Sequence, residues 1–408
     1  MAISIIEALK TIDKEISSLP SEIIPIEESL GKIVSCDYVA QFDLPRFDNS
    51  AMDGYAVRLC DAGTTVQSDR IIYAGDESNY ILQDTQAIRI MTGAPVPAGC
   101  EAIVPIEDVE VDGDRVSLPS NIRPAAHIRY AGEDIKKSKT YISKGERITA
   151  YTLALFASQG LSHVTVTRPV RIAVFGTGDE LRPHYEHISA HQLYNSNAPM
   201  FLARAQELGC VVSYIGGSGD TIDSLKSCIS QALSADLIIT SGGVSVGDKD
   251  FTKEAFAELG MQTYFSGINI KPGKPTTIGK IGHTTIVNLP GNPLAAMVNY
   301  EIFVKPIILK LSGAAAHYHG VIETKMGVDH KQKAGKYTVI LGQFNGSSFI
   351  PLPQQSPGMV SPLPKADAFI ITLPEVSLLQ KDQSVKMIGI KWGINSTEQV
   401  DIFTDLIK

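Results

Sequence analysis

The hydrophobic positions change period several times along the chain, and each change marks an element or a domain. Ile5, Ile6, Leu9, Ile12 and Ile16 recur at helical spacing, and Pro20 follows near the stop. From residue 21 to about 168 the pattern becomes short β-branched runs, such as AIRIM and AIVPIEDVEV, separated by Gly, Pro and Asp. That stretch predicts many short strands joined by turns. Within it, TAYTLALFASQG (149 to 160) predicts a helix closed by Gly160.

From Val170 the rhythm is different. VRIAVFG, CVVSYIGG, DLIIT and TTIVNLP are apolar runs of strand length. Between them SNAPMFLARAQELG, SLKSCISQALS and KEAFAELG carry helical period, and LAAMVNYEIFVKPIILKLSG predicts one long helix. Strands alternating with helices predict a doubly wound α/β domain, its parallel sheet covered on both faces. After Gly313 the pattern returns to β in YTVILGQF, FIPLP, AFIITLP and VKMIGI, which predicts a small all-β C-terminal domain.

Composition narrows the class. The 408 residues are too many for one ordinary core and predict two to four domains. Net charge is -8, which argues against nucleic acid as the main partner, because phosphate backbones want a basic face. The five cysteines, Cys36, Cys60, Cys100, Cys210 and Cys228, include no Cys-x-x-Cys pair, so a zinc ribbon or disulfide framework is not expected. The N-terminus lacks the basic start and apolar core of a signal peptide. No run approaches the ~20 apolar residues of a membrane helix. The expected location is therefore the cytoplasm, with no membrane partner.

In open parallel sheets ligands bind at the carboxyl ends of the strands, and three loops there stand out. In FGTGDEL (175 to 181), Gly176, Thr177 and Gly178 are followed by Leu181 where a dinucleotide fingerprint needs glycine. What remains is a turn carrying Asp179 and Glu180, readable as solvated carboxylates or as site residues. In TSGGVSVGDKD (240 to 250), Ser241, Gly242, Gly243 and Gly247 allow close backbone approach to an anion. A Walker loop fails, since Asp248 and Lys249 follow Gly247. GVSVG matches the hydrolase elbow around Ser245, yet no HGGG-type oxyanion loop accompanies it. Asp248 and Asp250 suggest Mg²⁺ beside a phosphate, against a plain glycine turn with exposed acids. The third region pairs IKPGKP, with Lys271 and Lys274, and LPGNP, with Pro290 and Pro293. Two lysines on a rigid turn suit an oxyanion, although surface lysines are common. In the N-terminal half, FDNSAMDGYAV concentrates Asp48, Asn49, Ser50 and Asp53, which alone reads as a loop. RIMTGAPVP adds Thr92, and IRYAGED adds Arg129, Glu133 and Asp134.

Taken together, DNSAMDGYA, MTGAPVP, GED, TGDEL, TSGGVSVGDKD, KPGKP and LPGNP, in this order, resemble the molybdopterin molybdenumtransferase family. This family comprises the bacterial MoeA proteins and the gephyrin E domain. The resemblance spans roughly residues 5 to 400. It implies four domains: an extended linking domain (1-20, 39-47 and 135-168), an inserted β-rich domain (21-38 and 48-134), an α/β molybdopterin-binding domain (169-316) akin to the molybdopterin adenylyltransferases, and a β-barrel-like domain (317-408). It also implies an elongated homodimer, with an active cleft between the α/β domain of one subunit and the inserted domain of the other. The implied reaction inserts molybdate into adenylylated molybdopterin, with Mg²⁺-dependent release of AMP. By the family motif Asp53, Thr92, Asp134, Glu180, Asp220 and Asp250 form the acidic and polar set. Glu180, Asp220 and Asp250 would hold Mg²⁺, and Asp53, Thr92, Arg129 and Asp134 would come from the other subunit. Thr177, Gly178, Ser241, Gly242, Gly243, Ser245, Gly247 and Asp248 would line the substrate. Lys271, Lys274, Pro290 and Pro293 would shape the anion end, with Ser361 contributing from the GMVSPL turn. Implied partners are the molybdopterin adenylyltransferase and molybdoenzyme chaperones.

The sequence departs from the family pattern at three places. Ala295 follows Leu294 where many members carry serine, and KYTVILG puts Lys336 and Leu341 in the places of two arginines. Gly267 stands where some members have lysine. These changes raise a tungstate-preferring paralogue as an alternative. A non-catalytic scaffold, an adenylyl transferase and a serine hydrolase through Ser245 are the other competing readings.

Overall fold

The structure is a computed structural model that describes residues 2–77, 79–219, 221–243 and 251–391. They divide into two compact units. The first unit takes residues 1–35, 145–149 and 164 onward; the second takes 36–144 and 150–163.

The first unit opens with helix α1 (Ile5–Glu15). Ser4 caps it reciprocally: its Oγ accepts from the Glu7 amide at 3.1 Å, and the Glu7 carboxylate accepts from the Ser4 amide at 2.8 Å. Ile5, Ile12 and Ile16 are buried, as their spacing predicts, and Ala8 completes the stripe; Leu9 is half-buried, while Ile6, on the far side, is 60% exposed.

The α/β body follows as β1 (Arg171–Thr177), α2 (Asn197–Glu207), β2 (Val211–Ser218), α3 (Ile222–Ala232), β3 (Leu237–Ser241), α4 (Phe251–Glu258), β4 (Gln262–Ser266), β5 (Thr277–Ile281), β6 (Thr284–Leu289), α5 (Pro293–Asn299) and α6 (Lys305–Leu311). The sheet order is β2-β1-β3-β6-β5-β4. Alternation within the strands sorts the two faces. Ile172, Val174, Leu237, Ile239, Val287 and Leu289 pack with α1, α2, α5 and α6. Ala173, Phe175, Ile238 and Ile286 pack with α3 and α4. The body is doubly wound, but its sheet is not all parallel. β6 stays parallel to β3, but β5 runs antiparallel to both β6 and β4; Gly282, at φ 57°, turns the chain back between β5 and β6.

The long helix over 294–313 also differs from its simple reading. α5 and α6 are joined by a π-helical turn, Tyr300–Val304. Pro306 explains it: proline has no N–H for the carbonyl four residues back, Ile302. That carbonyl instead accepts from His319 Nε2 at 2.9 Å. Burial, the largest influence on His319, holds its pKa below the ordinary value. Within the same turn Glu301, 2% exposed, pairs with Arg204 Nε at 2.8 Å.

Five strands then close a barrel: β7 (Ile322–Met326), β8 (Tyr337–Phe344), β9 (Ser348–Pro351), β10 (Ala368–Thr372) and β11 (Ser384–Gly389). Pairing runs β8-β9-β7-β11-β10 and returns to β8. Met326, Ile340, Phe349, Ile370 and Met387 fill it. At Gly342 a Cβ would fall 2.3 Å from the Phe349 ring, so only glycine passes there.

In the second unit, Gly54–Val57 pairs with Ile88–Ile90 and Ala102–Pro105, and Ile71–Ile72 extends the sheet. Tyr55 and Val57 face one core and Ala56 the other, so this strand is buried on both sides. Gly54 is not simply the end of an Asp-Gly turn. It starts a strand, and a Cβ there would lie 2.2 Å from the Val104 carbonyl oxygen.

Arg204→Leu would leave the Glu301 carboxylate buried without its partner. The expected loss is about 3–5 kcal/mol of stability, checked by denaturant unfolding; a change below about 1 kcal/mol would show that the pair does not hold this turn in place.

Candidate functional site

The carboxyl ends of β1, β3 and β6 bring three loops together. Thr177 ends β1, is buried, and its hydroxyl donates to the Ser241 carbonyl at 3.4 Å. The Gly242 amide donates to the Leu289 carbonyl at 3.2 Å. Two glycines allow this approach. A Cβ on Gly242 (φ 101°) would lie 2.5 Å from the Thr177 carbonyl oxygen, and one on Gly243 (φ 63°) 2.0 Å from the Thr252 hydroxyl. Gly291 passes close enough that its Cβ would touch the Gly242 Cα at 3.5 Å. Three backbones are thus layered where side chains would separate them.

The first of these loops carries Glu180. Gly178 (φ 141°) makes room for it: a Cβ there would fall 2.7 Å from Glu180 Oε2. The carboxylate is exposed at the strand ends. A short parallel pair, Leu181–Arg182 with Leu193–Tyr194, closes the arm that leaves it. Asn195 and Asn197 anchor the far end. Asn195 Oδ1 accepts from the Ala198 amide at 3.1 Å at the start of α2. Asn197 Nδ2 donates to Ser241 Oγ and to the Gly291 carbonyl, each at 2.8 Å.

The lysine turn is braced on two sides. Ile270–Lys271 pairs in parallel with the start of β8. On the other side Thr276 Oγ1 lies 3.1 Å from the Gly273 carbonyl and 3.0 Å from Asn299 Oδ1, while Asn299 Nδ2 donates to the Ala295 carbonyl at 2.8 Å. Asn299 is fully buried. A Cβ on Gly273 would fall 1.7 Å from its Nδ2, so glycine is required between the two lysines. Lys271 and Lys274 themselves are exposed, free to carry charge outward. Pro290 is buried and Pro293 starts α5, whose Leu294 amide donates to the Pro357 carbonyl. That bond ties LPGNP to the barrel loop that carries the exposed Ser361.

The second unit gathers its own candidates. The amide and hydroxyl of Thr92 both donate to Asp53 Oδ1 at 2.7 Å. These bonds, the amide's first, hold Asp53 below the usual carboxylate pKa. Arg129 pairs with Asn49 across two short strands, and the Ala131 amide donates to Asp48 at 2.7 Å. Asp134 follows in the same turn, its amide on the Leu44 carbonyl. DNSAMDG, MTGAPVP and RYAGED are therefore one surface, with Asp53, Thr92, Arg129 and Asp134 all exposed.

Asp220, Ser245, Gly247, Asp248 and Asp250 lie outside the described residues. Among the described residues no three His, Cys, Asp or Glu side chains are grouped to hold a metal, and no helix is long and apolar enough to cross a membrane.

Comparison with known proteins matches this architecture. Residues 3–160 fit the MoeA N-terminal region (domain I and II), and 173–310 fit the probable molybdopterin binding domain. Molybdopterin molybdenumtransferase 2 of Mycobacterium tuberculosis is 37% identical over 308 residues, 72% of this chain and 76% of that one. Molybdopterin molybdenumtransferase of Staphylococcus epidermidis is 34% identical over 347 residues, 83% of each. The chain belongs to the molybdopterin molybdenumtransferase (MoeA) family. A crystal structure of the molybdopterin biosynthesis moeA protein from Pyrococcus horikosii superposes with TM-score 0.83 at 28% identity, covering 96% of this chain and all of that one.

Set against the MoeA pattern, the departures are mostly interior. Leu341 is fully buried in the core shared by the α/β body and the barrel, and its amide donates to Gln355 Oε1 at 2.7 Å. An arginine there would place a charge in that core. Ala295 is buried too, within α5. Lys336 remains exposed. Sequence reading missed Asn195, Asn197, Thr276 and Asn299, all in contact with the candidate loops. Asn and Thr placed a few residues beside each glycine motif were the available signal.

Thr92→Val removes one of the two donors to Asp53, so its pKa should rise part of the way to the ordinary value. A carboxylate with a lowered pKa stays ionised until pH falls through that value, so the variant's Asp53 should protonate at higher pH. Carbon-detected NMR titration of Asp53 measures this; an unchanged midpoint would show that the hydroxyl contributes nothing.

Proposed function

We propose that this protein is a molybdopterin molybdenumtransferase, which inserts molybdate into adenylylated molybdopterin and releases AMP. The observation that carries the reading is the layering of three loops on Gly242, Gly243 and Gly291, with exposed charge at their rim and bracing polar groups beneath. Relatives bearing that enzyme's name, at 37% and 34% identity over most of their length, support it.

Such a site suits a substrate with a phosphoanhydride and an oxyanion. Close backbone approach offers N–H groups to phosphate oxygens. Lys271 and Lys274 supply compact positive charge on a fixed turn, facing molybdate or phosphate. Hydrolysis transfers the adenylyl phosphorus to water and leaves the pterin phosphate free, so negative charge grows where these groups stand. Glu180, with Asp220 and Asp250, is the set that would hold Mg²⁺. The fit is chemical: hard oxygen donors, with room made for the Glu180 carboxylate by Gly178. When bound, the ion would withdraw charge from the phosphoanhydride. Thr177, Ser241, Gly242, Gly243, Ser245, Gly247, Asp248, Pro290, Pro293 and Ser361 would contact the substrate. Asp53, Thr92, Arg129 and Asp134 would act from the second subunit of a homodimer. A cytoplasmic location fits a pathway that hands substrate from the molybdopterin adenylyltransferase to this enzyme and product to molybdoenzyme chaperones.

Two measurements test the reading. Glu180→Gln removes one exposed charge, so stability should change by less than about 0.5 kcal/mol, while AMP release from adenylylated molybdopterin falls about 100-fold or more. Wild-type rates in that variant would take Glu180 out of the site. The metal preference is read from the same assay with molybdate or tungstate added separately at equal concentration. Faster insertion of tungstate would identify the tungstate-preferring alternative, equal or molybdate-favouring rates would remove it, and no AMP release with either would leave scaffolding as the better reading.

A further inference from the structure

We infer that Asn197 is a positioning residue that latches the Ser241–Gly243 loop to the LPGNP loop and so sets the width of the substrate cleft. The inference rests on the substrate-binding role proposed for those loops. Asn197 opens α2, far in sequence from both loops, and is 6% exposed. A carboxamide has two N–H groups on one nitrogen. Here one reaches Ser241 Oγ and the other the Gly291 carbonyl, each at 2.8 Å. One side chain therefore joins the loops of β3 and β6. The opposing face of the same joint is backbone: the Gly242 amide on the Leu289 carbonyl, with Gly242 and Gly291 in contact.

What the position uses is the donor pair. Asn197 Oδ1 is buried and meets no partner among the described residues. Asn197→Asp is nearly isosteric, keeps that unused acceptor, and deletes both donors that the joint needs. It also turns an oxygen toward the Gly291 carbonyl and the Ser241 hydroxyl. Ser241 can rotate to donate, whereas the Gly291 carbonyl cannot. The loop that must yield is therefore LPGNP, and with it the entrance to α5.

The test uses the full chain and two readouts. Hydrogen exchange reports the latch without reference to chemistry. In Asn197→Asp the amides of 241–243 and of Leu289, Gly291, Asn292 and Leu294 should exchange at least tenfold faster, while those of β2 and the barrel are unchanged. Exchange that stays at the wild-type rate in those loops, or that rises evenly everywhere, overturns the inference. Steady-state AMP release from adenylylated molybdopterin reports the consequence. KM should rise about tenfold or more, with kcat lowered less, because the loops are loosened while the reacting groups stay in place. Ser241→Ala removes one of the two acceptors, and combining it with Asn197→Ala should cost far less than the product of the two single effects. Independent, multiplying effects would overturn the latch. Should Asn197→Asp fail to fold, Asn197→Ser carries both readouts. If loop exchange rises as stated but wild-type protein releases no AMP, the proposed function fails and the latch stands.

Discussion

The constraint on which the site depends is backbone packed on backbone. At the carboxyl end of the central strands, Gly242 lies against the Thr177 carbonyl and against Gly291, and Gly243 lies over the Thr252 hydroxyl. Adding one carbon at Gly242 or Gly243 would pry the layers apart. Everything else at this end of the sheet is arranged around that closeness. Buried asparagines reach between the layers, and the charged residues are left to the rim.

This division of labour runs through the first unit. The residues that would meet substrate, Glu180, Lys271, Lys274 and Ser361, are exposed. Those that hold them, Asn197, Thr276 and Asn299, are buried and use their polar atoms on backbone carbonyls and hydroxyls. The second unit follows a looser form of the same plan. Thr92 grips one oxygen of Asp53 and leaves the other toward solvent, and Ala131 grips Asp48 through its amide. In each case a carboxylate is oriented by short-range donors.

Much of this was legible before any coordinates. The change of hydrophobic period located the α/β body, and the strand-length runs after Gly313 marked an all-β domain, whose barrel form only the family resemblance implied. The glycine loops stood at the ends of the right strands. What escaped reading had physical reasons. QTYFS and TTIGKI are weakly apolar, so β4 and β5 left little periodic trace, and the antiparallel edge was invisible. The break in the long helix depended on Pro306 acting on Ile302, a partner lost four residues away. Asn197 and Asn299 look like ordinary polar residues near helix ends, and only their burial gives them roles. Leu341 stands in the place of a family arginine, yet its side chain belongs to the core.

The π-helical turn has a consequence for where one folding unit stops and the next begins. Pro306 strips the Ile302 carbonyl of its helical donor, and the replacement comes from His319, three residues before the barrel's first strand. The α/β body is thus completed by a residue from the connecting segment that follows it. Periodicity would end that body at Gly313, but a chain severed there would lose the His319 donor to the Ile302 carbonyl. The modular boundary lies beyond His319, and recombining this body with another C-terminal module would have to carry the segment to at least that point.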